Sequence, residues 1–170
     1  MVLTKKFFNR DALEIAPELV GKIIVRRLDD GTEISERITE VEIYRGVEDD
    51  ACHASKGRTK RTEMLYAESG LLYVYRCYGV HWLMNVVTGE KEQPQCILIR
   101  CGDVHDGPAK LTKYLQVDGS FNGAKICGND KIRIEDDGYK PKIKTATRVG
   151  IDYAERYWRN IKWRYIAEKE

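Results

Sequence analysis

The sequence contains little that would hold a fold together covalently or place it in a membrane. Its 170 residues include five cysteines, an odd number with no Cys-x-x-Cys pair, which favours free thiols over a disulfide framework. No apolar run approaches the roughly 18 residues that a membrane helix needs. Residues 1–13 also lack the apolar stretch of a signal peptide. We therefore expect a cytosolic protein that has no membrane partner.

Several common catalytic signatures are also missing. The sequence has no GxxxxGKS/T phosphate loop, no GxGxxG and no GxSxG turn. The H-x-E and P-C-x-x-C signature of zinc deaminases is absent, although residues 94–96 read PQC. A zinc site that used Cys52 or His53 would lack the usual ligand spacing. These absences argue against P-loop, dinucleotide-binding, serine-hydrolase and zinc-dependent chemistry.

The length and composition fit one globular domain over residues 1–170, with 42% hydrophobic and 33% charged residues. The net charge of +2 is too small to indicate a nucleic-acid binder by itself. Basic residues are nevertheless clustered at Lys56, Arg58, Lys60 and Arg61, and again towards the C-terminus. Such clusters are solvated faces or phosphate-binding surfaces, and the pattern alone leaves both open.

Strand-like segments outnumber helical ones. Residues 22–28, a turn at 29–31 and the segment that holds Glu42 predict an antiparallel hairpin. Residues 71–87 predict a second hairpin with its tip at Tyr78 and Gly79. The predicted fold is α+β, a single domain built on a mixed, mainly antiparallel β-sheet with flanking helices.

The helices and the remaining strands are predicted from end signals. Residues 9–20 predict a helix with Asn9 as its N-cap and Gly21 as its stop. Residues 45–62 predict a long polar loop, which in a compact domain is more often functional than idle. Further helices are predicted at 107–116 and 152–160, and further strands at 96–102, at 131–150 with a turn at 136–138, and at 162–166.

Alternate side chains of a strand share a face, and one face after the first turn carries Glu40, Glu42 and Tyr44. Two interpretations stay open from the residues alone. The carboxylates could lie on a solvent face and pair across the hairpin with Lys22 or Arg26. Alternatively, one carboxylate could act as a general base in a partly enclosed site.

The second hairpin places a large aromatic residue, Tyr78, at its exposed tip. An aromatic tip beside basic residues is what a wedge between DNA base pairs requires. Tyr75, set back from the tip, could present its ring to an extruded base, and Asn85 on the return strand could read a base edge. The alternative is that these tyrosines are ordinary strand residues that pack the core.

The polar loop carries His53 shortly after three acidic residues. The imidazole could stack on a flat ligand, or it could be a surface or packing residue. Together with Glu48, Asp49 and Asp50 it could instead bind a metal ion, although the spacing fits no standard metal loop.

Taken together, these segments resemble the alkyladenine (3-methyladenine) DNA glycosylase family. The resemblance extends over nearly the whole chain, in the ordered blocks TEVEIYRGVEDDACHAS, LYVYRCYGVHWLMNVV, ILIR, GPAKLTKYL and TRVGIDYA. It implies a monofunctional enzyme that flips a damaged purine out of duplex DNA and hydrolyses its N-glycosidic bond, leaving an abasic site. It also implies that no metal and no organic cofactor is needed.

The resemblance assigns the catalytic roles to three positions. Glu42 matches the general base that activates the attacking water, and Glu40 is left with a structural role. Arg100 matches an arginine near that water and near the phosphate of the flipped nucleotide. Val149 matches a position whose main-chain carbonyl helps to hold the water.

The resemblance also assigns the DNA contacts. Tyr44 and His53 match aromatic walls of the base pocket, and Tyr75 matches the stacking partner opposite. Tyr78 matches the residue of a protruding hairpin that fills the gap left in the helix. Asn85 matches the asparagine that crowds the exocyclic amine of guanine. Lys56, Arg58, Lys60 and Arg61 are expected to grip phosphates without reading the base sequence.

Three residues depart from the family pattern. Val80 stands where a methionine is common, Thr62 stands where an asparagine is usual, and Trp82 is bulkier than expected beside the return strand. These departures leave the order of preference open among 3-methyladenine, 7-methylguanine, hypoxanthine and ethenoadenine.

The expected partner is double-stranded DNA that contains damaged purines, bound by a monomer. The expected location is the cytoplasm at the nucleoid of a prokaryote, or the nucleus of a eukaryote. One alternative is a non-catalytic module that binds damaged DNA with the same wedge and pocket. The others are a metal-dependent hydrolase built on the acidic loop and a bifunctional lyase, for which no lysine matches a pocket position.

Overall fold

The computed structural model describes residues 1–168. Short 3₁₀ turns lie at 53–56, 63–66 and 119–121. The helices are α1 (Lys5–Phe8), α2 (Ala12–Leu19), α3 (Pro108–Tyr114) and α4 (Arg156–Asn160). The strands are β1 (Ile23–Arg27), β2 (Glu33–Arg45), β3 (Leu72–Cys77), β4 (His81–Val87), β5 (Gln95–Gly102), β6 (Ile132–Glu135), β7 (Ile143–Ala146) and β8 (Arg164–Ala167).

The strands form one eight-stranded sheet in which β3, β4, β5, β2, β1 and β6 are neighbours in that order. Strand β8 pairs with β2, and β7 pairs with β8. Every pairing between the described strands is antiparallel. The predicted α+β fold on a mainly antiparallel sheet is confirmed, and so are both predicted hairpins.

Strand β2 is the longest element, with 13 residues, and it changes partners along its length. Its first part, Glu33–Arg37, pairs with β1, whereas its second part pairs with β5 on one side and with β8 on the other. Irregular register near Glu40 marks the change. Because strands flank it on both sides, the segment that carries Glu42 is held rigidly in the middle of the sheet.

This arrangement corrects one interpretation of the carboxylate face. Glu40 and Glu42 do not pair with Lys22 or Arg26 across the first hairpin, because their part of β2 lies beyond β1. Lys22 forms an ion pair with Asp136 instead, at 2.8 Å.

Helix α2 packs four buried residues, Ala12, Ile15, Ala16 and Leu19, against the sheet. The predicted N-cap at Asn9 was wrong, because the carboxylate of Asp11 accepts the hydrogen bond from the Leu13 amide, at 3.0 Å. The predicted stop was correct. Gly21 has a φ of +95°, and a Cβ there would lie 2.6 Å from Pro141, so only glycine fits.

All five cysteines are free thiols. None of the helices in residues 1–168 combines the length and the apolar character that crossing a membrane requires.

Candidate active site

A cavity of about 700 Å³ opens between the β3–β4 hairpin, β5 and two loops. The first loop follows β2 and the second precedes α4. This volume lies within the range of small-molecule sites. The lining residues include Tyr44, His53, Arg61, Tyr73, Tyr75, Tyr78, Asn85, Cys96, Arg100, Val149, Ile151 and Tyr153.

The Glu42 carboxylate has no exposed surface and contacts three residues that line the cavity. Its Oε1 accepts a hydrogen bond from the Val149 amide at 2.7 Å, and its Oε2 accepts one from the Tyr44 hydroxyl at 2.8 Å. The Arg100 Nε lies 3.6 Å from Oε1. Burial raises the pKa of Glu42, and the positive charge of Arg100 partly offsets that rise. The arrangement therefore holds a carboxylate that accepts protons more readily than an exposed one.

Aromatic rings form one wall of the cavity. The His53 ring meets the Tyr75 ring edge-on, with centroids 4.6 Å apart, and its Nδ1 lies 2.8 Å from the Tyr73 hydroxyl. Burial, together with the nearby Arg61, lowers the pKa of His53 to about 4. The imidazole is therefore neutral at physiological pH and presents an uncharged, flat surface.

Asn85 is buried in the cavity wall, and its amide is oriented by two neighbours. Its Nδ2 donates to the Tyr73 carbonyl at 3.1 Å. Its Oδ1 accepts from the thiol of Cys96 at 3.6 Å. Burial raises the pKa of Cys96 well above its ordinary value, so that thiol stays protonated and can donate.

No sequence pattern predicts the buried ion pair that joins the two loops. Arg148 and Asp49 are both fully buried, with Nη1 and Oδ2 2.6 Å apart and Nη2 and Oδ1 2.9 Å apart. Arg148 also donates to the Ile43 carbonyl at 2.8 Å and lies over the Tyr44 ring, 4.9 Å from its centroid. Because Val149 follows directly, this pair places the amide that binds Glu42.

The chain is similar to proteins of one known family. The family model described as methylpurine-DNA glycosylase matches residues 6–106 and 101–170. The chain belongs to the methylpurine-DNA glycosylase family.

Relatives from several organisms carry the name "Putative 3-methyladenine DNA glycosylase". The protein of Desulfitobacterium hafniense is 38% identical in an alignment of 194 positions that covers 98% of this chain and 95% of the relative. That of Natranaerobius thermophilus is 36% identical over 97% of this chain and 94% of the relative. That of Methanocella arvoryzae is 35% identical over 90% of this chain and 86% of the relative.

The four basic residues predicted to contact the DNA backbone differ in their surroundings. Arg61 lines the cavity, with its guanidinium 5.4 Å from the Tyr75 ring centroid. Lys56 lies 3.7 Å from Asp50. Arg58 is paired with Glu63 and Glu92, and it lines, with Lys60, a separate hollow. The structure therefore brings only Arg61 of this basic group to the cavity.

The acidic loop does not gather into a metal site. The Asp49 carboxylate forms an ion pair with Arg148, and His53 forms a hydrogen bond with the Tyr73 hydroxyl. Residues 1–168 contain no group of three or more His, Cys, Asp or Glu side chains placed to hold a metal ion. The alternative built on Glu48, Asp49, Asp50 and His53 therefore lacks its ligand set.

The three departures from the family pattern have identifiable surroundings. Val80 is two-thirds exposed beside Tyr78 at the hairpin tip. Thr62 is buried, and its hydroxyl donates to the Gly57 carbonyl at 2.9 Å, which closes the loop before it. The Trp82 ring packs against Gly119, where a Cβ would lie 2.7 Å from the ring. Trp82 is therefore accommodated by a glycine on the neighbouring segment.

Replacing Asp49 by Asn should destabilise the fold by about 3–5 kcal/mol, because it leaves the buried Arg148 cation without its counter-charge. Urea unfolding followed by circular dichroism measures this change. Glu18→Gln is the matched control, since the Arg10–Glu18 pair is solvent-exposed and contributes at most about 1 kcal/mol. Equal losses in the free energy of unfolding for the two variants would show that the buried pair stabilises the fold no more than the exposed pair does.

Proposed function

We propose that this chain is a monofunctional DNA glycosylase that removes alkylated or deaminated purines from duplex DNA. The observation that carries the proposal is the Glu42 carboxylate, fully buried beside a cavity with aromatic walls and bound by the Val149 amide and the Tyr44 hydroxyl. A buried carboxylate with a raised pKa next to a cavity is suited to accept a proton from water. The family and the names of the relatives support methylated purines as substrates, and we extend the proposal to deaminated purines.

In the proposed reaction, Glu42 takes a proton from a water molecule as that water attacks C1′ of the flipped nucleotide. The C1′–N bond breaks, its electron pair leaves with the purine, and the water oxygen becomes the hydroxyl of an abasic sugar. A purine that already carries a positive charge leaves as a neutral molecule. One carboxylate then suffices, and its charge also stabilises the oxocarbenium character that develops on the sugar. The Val149 carbonyl and Arg100 are proposed to help hold the water and the phosphate.

Base selection is proposed to occur in the aromatic part of the cavity. A flipped purine would stack between Tyr75 and the wall formed by Tyr44 and His53. The oriented Asn85 amide would crowd the exocyclic amine of guanine and disfavour the normal base. The candidate lesions are 3-methyladenine, 7-methylguanine, hypoxanthine and ethenoadenine. Because damaged pairs unstack more easily, some selectivity would precede the chemistry.

Tyr78 is proposed to fill the gap that the flipped nucleotide leaves. It is 90% exposed at the hairpin tip, and its φ of 52° is unusual for a residue other than glycine. An exposed aromatic ring on strained backbone does not stabilise the fold, and such features concentrate at functional sites. A hairpin that carries this ring into the duplex would act as an intercalating wedge.

Glu42→Gln should lower the single-turnover rate of base release by about 10²–10⁴-fold, the usual contribution of a general base. The assay uses short duplexes that each carry one lesion, with EDTA present and abasic sites cleaved by alkali. Binding of the lesion duplex should be retained.

Glu33→Gln, on the exposed start of the same strand, is the control and should leave the rate unchanged. If the wild type binds lesion DNA but releases no base from any of the four lesions, the chain is a binding module without catalysis. Loss of activity with EDTA would point to a metal-dependent reaction instead.

The rate should fall on acidification with a midpoint above 4.5, the ordinary pKa of a glutamate, because burial raises the pKa of Glu42. The sign follows from the mechanism, since the base works only when ionised and the rate is lost as the pH falls through its pKa. Single-turnover rates between pH 4 and 8 measure this acid limb of the pH–rate profile. A midpoint at or below the ordinary value would contradict the assignment of Glu42.

Tyr78→Ala should weaken binding of a lesion duplex by about 1–3 kcal/mol, the usual value of a base–aromatic stack, without lowering thermal stability. Fluorescence anisotropy with labelled duplexes measures the affinity. Tyr139→Ala removes another partly exposed tyrosine, outside the cavity, and should not change binding. Unchanged affinity in Tyr78→Ala would remove the wedge from the proposal.

A further inference from the structure

Glu40 is a partly buried acidic residue for which the proposed reaction has no use. Its side chain and that of Arg100 are each 15% exposed. Glu40 Oε1 accepts from the Arg100 Nε at 2.9 Å and from the Arg164 Nη1 at 3.2 Å. Its Oε2 lies 3.6 Å from the thiol of Cys101. Glu40 thus connects the arginines of β5 and β8, the two strands that flank it.

The same nitrogen of Arg100 faces two carboxylates at different distances. Nε lies 2.9 Å from Glu40 Oε1 but 3.6 Å from Glu42 Oε1. Only the shorter distance is a hydrogen bond. The Arg100 cation is therefore anchored to Glu40 and lies within ion-pair distance of Glu42 without a hydrogen bond to it.

We propose that Glu40 is a positioning residue that, supported by Arg164, holds Arg100 next to Glu42 and balances the charge of Arg100, so that Glu42 and Arg100 do not form a direct, hydrogen-bonded ion pair. The inference deepens the proposed function and rests on it only for the role of Glu42 as base. An arginine in direct contact would take up the carboxylate's free lone pairs and weaken it as a proton acceptor. Anchoring through Nε also leaves the terminal nitrogens of Arg100, which lines the cavity, for a phosphate of the flipped nucleotide.

The groups that face Glu42 make the expected effect of Glu40 unambiguous. From β2 it is faced by Glu40 and by Tyr44, and burial raises the pKa of that hydroxyl well above its ordinary value, so that it stays neutral. From β5 it is faced by Arg100, and from the loop before α4 by the neutral Val149 amide. Arg164 of β8 acts through Glu40. The positive charge of Arg100 lowers the pKa of Glu42 and the negative charge of Glu40 raises it.

The test is the titration of Glu42 by carbon NMR of the glutamate carboxyls, in protein without DNA. The Glu42 signal is assigned as the one missing from the spectrum of Glu42→Gln. In Glu40→Gln the Glu42 midpoint should fall by about one pH unit, because a like charge is lost and Arg100 is released towards Glu42. Glu40→Asp keeps the charge, but its shorter side chain cannot reach Arg100. In this variant the Glu42 midpoint should therefore fall by a smaller amount than in Glu40→Gln. Glu40→Asp also serves as the test if Glu40→Gln does not fold.

Glu33→Gln, which removes the same charge from the exposed start of β2, is the control and should leave the Glu42 midpoint unchanged. An unchanged or raised midpoint in Glu40→Gln would overturn the inference, and a wild-type midpoint in Glu40→Asp would show that Glu40 supplies charge without positioning. In the base-release assay, the acid limb of Glu40→Gln should shift in the same direction as the NMR midpoint. Because the titration needs no turnover, a wild type without glycosylase activity would refute the proposed function and still leave this test decisive.

Discussion

The burial of one carboxylate, Glu42, constrains the rest of the site. A charged group without exposed surface is tolerated only where donors satisfy it and a nearby charge compensates it. Here the donors are the Val149 amide and the Tyr44 hydroxyl, and the compensating charge is that of Arg100. Each of these partners belongs to a different part of the chain or to a different position on β2, so the fold has to bring them together before Glu42 can be buried.

Two structural devices meet this requirement. The first is the long strand β2, which is flanked by β5 and β8 where it carries Glu42 and is therefore rigid there. The second is the buried Arg148–Asp49 pair, which ties the loop before α4 to the loop after β2. Two weaker contacts reinforce this tie, from the Tyr153 hydroxyl to the Ala51 carbonyl at 3.3 Å and from the Glu155 amide to Asp50 at 2.9 Å. The Val149 amide that binds Glu42 and the loop that carries His53 are thus parts of one connected wall.

The cavity itself is formed mostly by neutral groups. Burial keeps the nearby tyrosines and thiols protonated, and it keeps His53 unprotonated. The charged side chains of its lining are those of Arg61, Arg76 and Arg100, and the Glu42 carboxylate is buried beside Arg100. Neutral aromatic walls together with cationic side chains suit a planar base attached to an anionic backbone, which agrees with the family to which the chain belongs.

Local patterns were enough to predict the two hairpins, the tip at Tyr78, the strand with Glu42 and Tyr44 on one face, and the end of α2 before Gly21. These features depend on the alternation of side chains between the two faces of a strand and on turn residues, and both act over only a few positions. The sequence did not determine which face of β2 is exposed to solvent or which residues pair with Glu40. It also did not determine the pairing of Arg148 with Asp49, which are 99 positions apart in the chain. Those were decided by the order of strands in the sheet and by the contact of two distant loops, because burial and the choice of an ion-pair partner depend on which segments the tertiary structure makes neighbours.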